Sequence, residues 1–204
     1  MNKKTFLMVT GSRLSNSFGN TFSEIKKYKI KNIIKKKLLD SNFKDSDVSS
    51  YVAKSINLTS DVIIKKKPDV LVLLGDRYEL LGSAIAAMTF RVPIAHIHGG
   101  ELTEGAYDDA IRHSITKLSH LHFPIHERYK KRLIQMGENP NSIFNYGGLG
   151  AHSISNTKLM HKNEIEKYLK INFRKKIVLV TFHPVTLEKN KSEYQIKNLI
   201  KFLN

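Results

Sequence analysis

The amino-acid sequence predicts an α/β fold with a parallel β-sheet. Short apolar runs rich in β-branched residues, at 69–74, 94–97 and 177–182, alternate with segments of helical pattern, which is typical of strands joined by crossover helices. Each run is followed at once by a polar cluster that contains glycine or histidine. Ligands of open α/β sheets bind at the carboxyl ends of the strands, so these clusters are the first place to look for a functional site.

Six strands are predicted from β-branched apolar composition and the turn residues that bound them. They cover residues 5–10, 70–74, 94–97, 121–124, 143–146 and 177–182. Helices are predicted in lysine-rich segments within 21–67, then at 79–90, 108–119 and 126–136. The 79–90 segment is rich in Ala, Leu and Ile, and acidic residues begin the next helix, where its dipole favours them. Gly137 is placed to end the helix at 126–136.

This pattern divides the chain of 204 residues into three parts. Residues 1–150 are predicted to form one α/β domain, and residues 151–175 a helical connector. Residues 176–204 contain a single strand–helix unit, which cannot by itself bury both faces of its strand. That last part is therefore interpreted as the start of a second, incomplete domain.

Composition excludes several classes of protein. The absence of cysteine rules out a disulfide framework and a thiolate metal site. No apolar run approaches the roughly 20 residues that a membrane span needs, so we expect a cytoplasmic protein without a membrane partner. Hydrophobic residues make up 41% of the chain, which is enough for a buried core.

The net charge of +16 comes from lysine-rich flanks. Residues 71–150 carry 8 Lys and Arg against 8 Asp and Glu, whereas residues 1–70 carry 15 against 6. Because the chain has no zinc-finger spacing, no RNP-like aromatic motif and no arginine cluster, the flanks are interpreted as solvated helix faces. We therefore predict no nucleic-acid partner.

The clusters that follow the strands contain the candidate functional residues. Asp76 is either a catalytic carboxylate or the cap of the next helix, and Arg77 has the planar fork that can hold a phosphate. Glu101 follows two glycines, which allow the backbone to approach a ligand closely. His183 fits an acid, a base, a phosphate contact or a structural histidine equally well.

The helix predicted from residue 108 adds a second set. Asp108 and Arg112 form an i,i+4 pair with His113 beside them. If the start of this helix faces the strand ends, it suits an anionic ligand. The alternative is that Asp108 and Asp109 only cap the helix.

Histidine occurs in two alternating pairs, His96 with His98 and His120 with His122. No third ligand can be identified for either pair, so no metal site is predicted. A buried, hydrogen-bonded structural role is the ordinary interpretation of these residues. His98 is nearer the strand end and precedes Gly-Gly, which makes it the better functional candidate.

Four ordered blocks of sequence resemble a known family, the hydrolysing UDP-N-acetylglucosamine 2-epimerases. The resemblance is to the bacterial branch that makes N-acetylmannosamine for sialic-acid-type surface sugars. The blocks are Gly75-Asp76-Arg77-Tyr78-Glu79, His96-Ile97-His98-Gly99-Gly100-Glu101, the segment 108–117, and Phe182-His183-Pro184-Val185-Thr186.

This resemblance implies a glycosyltransferase-B-type architecture, in which two Rossmann-like domains hold a UDP-sugar in the cleft between them. It implies anti-elimination of UDP to a 2-acetamidoglucal, followed by addition of water, with no cofactor, and a homo-oligomer in the full-length family. It implies catalytic positions at Asp76, Glu101, Asp108 and His183, and substrate-binding positions at Arg77, His98, Arg112 and His113.

The chain departs from the family pattern in three places. Some relatives have a catalytic glutamate where this chain has His98. The opening 9–13 resembles the family's T-G-x-R, but the residues after it fit the second βα unit better; in that case the first βα unit is absent and Arg13 is not the family's cleft arginine. Most of the second domain, with its uridine and diphosphate contacts, is also missing, so we expect this chain to be inactive alone.

Two alternative functions remain open. One is the sister reaction on UDP-2,4-diacetamido-2,4,6-trideoxyglucose in legionaminic acid synthesis, and the other is a non-catalytic remnant that binds sugar nucleotides. For the geometry, we expect Asp76, His98, Glu101 and Asp108 to converge at the carboxyl edge of one parallel sheet. His183 is expected across the cleft, on a strand outside that sheet.

Overall fold

The computed structural model describes residues 4–14, 22–38, 47–173, 177–185 and 191–203. The strands are β1 (Leu7–Val9), β2 (Ile33–Lys35), β3 (Leu71–Leu74), β4 (Ile94–Ile97) and β5 (Leu121–Phe123). The helices are α1 (Phe22–Lys26), α2 (Val48–Lys66), α3 (Tyr78–Thr89), α4 (Asp108–Lys117), α5 (Glu127–Gln135), α6 (Leu149–Ser155), α7 (Lys162–Leu169) and α8 (Ser192–Leu203). Strands and helices alternate through α5, which confirms the predicted α/β class.

All strand pairings in the described residues are parallel, as predicted. They form two sheets: β1 pairs with β2, and β3, β4 and β5 follow one another in that order. The second sheet continues past its strands, because the Gly75 amide donates to the Ile97 carbonyl at 3.0 Å and the His98 amide to Phe123 at 3.1 Å. The carboxyl ends of these three strands therefore lie level, and this edge positions the candidate site.

The main core joins the second sheet to its helices. Eight buried side chains from α2, α3, α4, the strands β3 and β4 and the turn before β4 meet there: Ile63, Leu73, Ala84, Ala86, Ala87, Val92, Ile94 and Ile115. The small alanines of α3 allow this helix to pack closely. The helices predicted at 79–90, 108–119 and 126–136 are confirmed to within two residues at each end.

One strand was not predicted. β2 lies inside the segment 21–67, which was expected to be helical, because its lysine-rich surroundings obscure the short Ile33-Ile34 pair. Pairing with β1 decides the conformation of β2, because each strand provides hydrogen-bond partners for the backbone amide and carbonyl groups of the other.

Two predicted strands did not form. In the segment 143–146, only Ile143 makes a bridge, to His122. The prediction of a strand at 177–182 is wrong: this segment has no regular secondary structure, and Ile177, Val178, Leu179 and Val180 are each at least 42% exposed. A lone strand has no neighbour for its amide and carbonyl groups, so local β propensity is not enough. His183 accordingly does not follow a strand.

The segment 151–175, for which a helical connector is predicted, contains most of α6 and all of α7. None of the helices in the described ranges combines the length and apolar content that crossing a bilayer would demand.

Candidate active site

The site is built where β3 and β4 end. Gly75 follows β3 with φ of +91°, a left-handed conformation that glycine adopts without strain, and the chain turns there into Asp76 and Arg77. After β4, the chain turns at His98 and passes through two glycines to Glu101. The two polar clusters predicted from sequence thus leave neighbouring strands of the same sheet at the same edge.

A buried arginine on α4 faces the first cluster. The Arg112 side chain is only 7% exposed, and its Nη2 contacts the Asp76 carboxylate and donates to Thr103 Oγ1 at 3.0 Å. The Thr103 amide in turn donates to Asp109 Oδ1 at 3.2 Å. The amino end of α4 therefore packs against the end of β3, and Asp76 is the ion-pair partner of Arg112.

This pairing decides the question that the sequence left open for Asp76. The residue that precedes α3 is Arg77, and its side chain makes no capping hydrogen bond; the Asp76 carboxylate is directed to Arg112 instead. The interpretation of Asp76 as the helix cap is therefore wrong. Local sequence suggested it because a short acidic side chain just before a helix usually accepts from the first-turn amides.

The guanidinium of Arg112 is only half satisfied. Among the described residues, its Nε and Nη1 atoms are buried without a hydrogen-bond partner, although Nη1 lies 3.9 Å from Asp109 Oδ1. Unpaired buried donors of this kind cost free energy unless an acceptor reaches them. A planar pair of free N–H groups next to Asp76 is suited to an oxygen-rich, anionic ligand.

Asp108 lies close enough to Asp76 for the two carboxylates to interact. Burial raises the pKa of Asp108, and the negative charge of Asp76 raises it further, while Arg77 and Arg112 act in the opposite direction. The site therefore holds two carboxyl groups in different environments. Asp76 is paired with a buried arginine, and Asp108 is held with a greater affinity for a proton.

The second cluster is a histidine–carboxylate contact. His98 Nδ1 lies 2.7 Å from Glu101 Oε1, with both side chains largely buried, although the contact lacks hydrogen-bond geometry. His98 has φ of +69°, which strains a residue with a Cβ, and such strain is concentrated at functional positions. Gly100 has no such penalty at φ of +79°, and a Cβ there would lie 2.7 Å from the Tyr129 carbonyl oxygen.

Arg77 and His113 take up positions beside these groups. Arg77 donates from Nε to Glu79 Oε1 at 3.0 Å, and Glu79 is 6% exposed, so a buried carboxylate holds a half-exposed guanidinium at the site. His113 Nε2 lies 3.6 Å from Asp109 Oδ2, the carboxylate that is also near Arg112. The substrate-binding role of His113 stays a prediction.

The segment that carries His183 runs beside the loop after Glu101. A Cβ added to Gly105 would lie 2.5 Å from Val185 Cγ1, so the Val185 side chain packs directly on Gly105. His183 itself is exposed. Its role in catalysis stays a prediction, and so does that of Arg13, whose side chain is outside the described part of the chain.

His96 and His122 are buried with polar partners, as the ordinary interpretation of these two residues expects. His96 is fully buried between Gly75 and Thr116, and His122 contacts Glu138 at 3.1 Å, which also binds Lys117 at 2.7 Å. Nothing in the sequence indicated that His96 contacts Gly75, the turn residue that leads into Asp76. Within the described residues, no three His, Asp or Glu side chains are grouped in a way that could hold a metal ion.

Comparison with known proteins identifies the family of this chain. The sequence model described as UDP-N-acetylglucosamine 2-epimerase matches residues 2–204. A relative from Campylobacter jejuni, named GDP/UDP-N,N'-diacetylbacillosamine 2-epimerase (hydrolyzing), is 42% identical over 97% of this chain and 51% of its own length. Polysialic acid biosynthesis protein P7 of Escherichia coli is 40% identical over 97% of this chain and 50% of its own.

Solved structures support the fold. A UDP-N-acetylglucosamine 2-epimerase from Neisseria meningitidis, bound to UDP-GlcNAc, superposes with a TM-score of 0.62 at 19% identity, over 81% of this chain and 46% of that one. A protein from Listeria monocytogenes gives a TM-score of 0.65 at 18% identity, over 80% and 43%. The chain spans about half the length of the curated relatives it matches. By its sequence and by its Rossmann-like, glycosyltransferase-B-type fold, it belongs to the UDP-N-acetylglucosamine 2-epimerase family.

Proposed function

We propose that this chain carries part of the active site of a hydrolysing UDP-sugar 2-epimerase. The observation that supports it most directly is the Asp76–Arg112 ion pair at the end of β3, with the Asp108 carboxyl close by. Such an enzyme removes the proton at C2 while the bond between C1 and the UDP oxygen breaks, which leaves a C1–C2 double bond. Water then adds its hydroxyl to C1, and C2 receives a proton on the opposite face, giving the epimeric free sugar and UDP.

Different tasks are proposed for the two clusters. Asp108 is the better base for the C2 proton, because its raised pKa makes its ionised form more basic than an ordinary aspartate. Asp76 fixes Arg112, whose free Nε and Nη1 groups receive the oxygens of the leaving diphosphate. His98, with Nδ1 directed to Glu101, has Nε2 left to deliver a proton on the other face. His183 and Arg77 are proposed as further contacts at the diphosphate.

The substrate is proposed to be a UDP-linked 2-acetamido sugar. UDP-N-acetylglucosamine is the first candidate from the family motifs. UDP-2,4-diacetamido-2,4,6-trideoxyglucose is the second candidate. The relatives named for a diacetamido sugar are 42% and 36% identical to this chain, whereas a relative named for UDP-N-acetylglucosamine is 32% identical, and this order favours the second candidate. We also propose that the product is used to make sialic-acid-type sugars. The whole protein is proposed to be a cytoplasmic homo-oligomer.

The first test measures binding, which does not require turnover. We expect both UDP-sugars, and UDP itself, to give saturation-transfer NMR signals with the chain. Replacing Arg112 by Gln should weaken binding at least about tenfold, because two charge-assisted hydrogen bonds are lost. The matched control is Arg91→Gln, an exposed arginine on the opposite side of β4. Equal affinity in parent and Arg112→Gln would contradict the assignment of the diphosphate to this edge.

The second test concerns the two carboxylates. Changing Asp76 to Asn removes a negative charge near Asp108, so ionisation of Asp108 becomes easier and its pKa should fall. Part of the elevation should remain, because burial is its larger cause. A ¹³C NMR titration of the Asp108 carboxyl measures this directly. Asp61→Asn, which removes a carboxylate on α2 that pairs with Lys36, is the control and should leave the titration unchanged.

A further inference from the structure

His96 is fully buried in the centre of the second sheet, one residue position below the site. It pairs in register with Leu73 of β3 and with His122 of β5. Both of its ring nitrogens have partners: Nε2 lies 2.8 Å from the Gly75 carbonyl oxygen, and Nδ1 lies 3.1 Å from Thr116 Oγ1. A buried imidazole needs a partner for each ring nitrogen, and here the two partners lie on two different elements, the turn after β3 and the helix α4.

The partners determine how the ring is protonated. A carbonyl oxygen only accepts, so Nε2 must carry the hydrogen and donate it to Gly75. Nδ1 of the neutral ring then accepts from the Thr116 hydroxyl. Burial favours this neutral form and lowers the pKa of His96 to about 4. The ring is therefore a fixed connector with one donor and one acceptor.

The two partners belong to the two elements that carry the ion pair of the site. Gly75 forms the turn that directs Asp76 out of β3, and Thr116 lies one helical turn beyond Arg112 on α4. Three side-chain contacts therefore link the turn after β3 to α4: His96 to Gly75, His96 to Thr116, and Arg112 to Asp76. Gly99 closes over the His96–Thr116 contact, since a Cβ there would lie 3.1 Å from both His96 Nδ1 and Thr116 Oγ1.

We propose that His96 is a positioning residue that holds the turn after β3 and the helix α4 at the separation at which Asp76 and Arg112 pair. His96 contacts no substrate in this arrangement and acts through its two hydrogen bonds. Its effect on ligand binding rests on the function proposed above, whereas its effect on the ion pair does not. The two effects are therefore measured separately.

The experiment uses the full ¹⁵N-labelled chain and four variants. Thr116→Val and His96→Phe remove the hydrogen bonds while keeping the volume, and Thr116→Ser and His96→Gln keep groups that can make them. The readout is the set of Arg112 guanidinium signals, because a guanidinium held by a carboxylate gives separate, slowly exchanging Nη protons. We expect these signals to be lost in Thr116→Val and His96→Phe and to remain in Thr116→Ser and His96→Gln.

A matched control separates positioning from general loss of stability. Thr59 is also a buried threonine, whose hydroxyl lies 2.9 Å from that of Ser83 in the contact of α2 with α3. Thr59→Val should leave the Arg112 signals as they are. Unchanged Arg112 signals in folded Thr116→Val and His96→Phe would overturn the proposal. If His96→Phe does not fold, the Arg112 signals of Thr116→Val alone test the proposal, because this variant removes only one hydroxyl group.

Affinity for UDP-N-acetylglucosamine, by saturation-transfer NMR, provides the second readout. We expect it to fall about tenfold in Thr116→Val relative to Thr116→Ser, the effect of one misplaced charged hydrogen bond. If the parent binds no UDP-sugar, the function proposed above fails, and the guanidinium signals still decide the role of His96. If the guanidinium signals change but affinity does not, His96 positions Arg112, and Arg112 does not bind the ligand. That result would overturn the proposed effect of His96 on ligand binding.

Discussion

Lowering the pH from 6.5 to 4 should reduce the free energy of unfolding by about 3 kcal/mol through His96 alone. Burial is the main cause of the low pKa of this residue, about 4 against 6.5 for an exposed histidine; the positive charge of Arg112 and the proximity of His122 add to it. The hydrogen bond to Gly75 and the charge of Asp76 oppose the shift but do not outweigh it.

The sign follows from where the proton binds. Between pH 6.5 and 4, His96 takes up a proton in the unfolded chain but not in the folded one, so the unfolded state is stabilised relative to the folded state as the pH falls. Stability from this residue is thus complete above pH 6.5 and is lost progressively down to about pH 4. Burial also lowers the pKa of His122, which acts in the same direction.

Urea unfolding followed by circular dichroism at a series of pH values measures the effect. The comparison is with His96→Gln, which has no group that titrates in this range, so its stability should fall by about 3 kcal/mol less than that of the parent. Using the difference between parent and variant removes the contribution of carboxylates. Parallel curves for the two proteins would show that His96 is not buried as a neutral ring.

We expect the second large effect in catalysis: the chain of 204 residues, purified alone, should release UDP from UDP-N-acetylglucosamine no faster than background. Departure of UDP requires groups that hold the diphosphate as negative charge builds on it, and preorganised donors supply much of the stabilisation in such reactions. The described site offers Arg112 and the half-exposed Arg77 as cationic groups. The segment 177–185 forms no strand with the second sheet and is mostly exposed.

An open site also leaves the sugar in contact with water, which weakens each electrostatic contact that remains. A coupled assay for UDP release, run with both candidate UDP-sugars, gives the measurement. Asp76→Asn is the control, since it removes the partner of Arg112. Turnover in the parent that disappears in Asp76→Asn would mean that one side of the cleft is sufficient, and the expectation of inactivity would be wrong.

Much of the site could be predicted from local sequence. The runs that became β3 and β4 are short, apolar and bounded by turn residues, and the α3 and α4 segments have clear helical composition. Once these are parallel strands joined by crossover helices, their carboxyl ends must share an edge. The proximity of Asp76 and Asp108 agrees with that rule, whereas the pairing of Asp76 with Arg112 came only from the structure.

Residues whose conformation depends on a distant partner were not predictable in this way. The Ile33–Lys35 strand forms because β1 satisfies its backbone, while the more strongly β-branched Ile177–Val180 run stays unpaired. Asp76 has the composition of a helix cap, yet a buried arginine 36 positions away takes its carboxylate.

Sequence alone therefore determined the α/β class, the helices α3 to α5, and the edge of the sheet at which charged residues gather. Only the tertiary structure decided which strands pair, that His98 faces Glu101, and that His96 links the turn after β3 to α4. The physical reason is range: helical pattern and turn chemistry act between residues a few positions apart. Strand pairing, the Asp76–Arg112 ion pair and the hydrogen bonds of His96 instead join groups 20 or more positions apart, and their free energy depends on what else is buried around them.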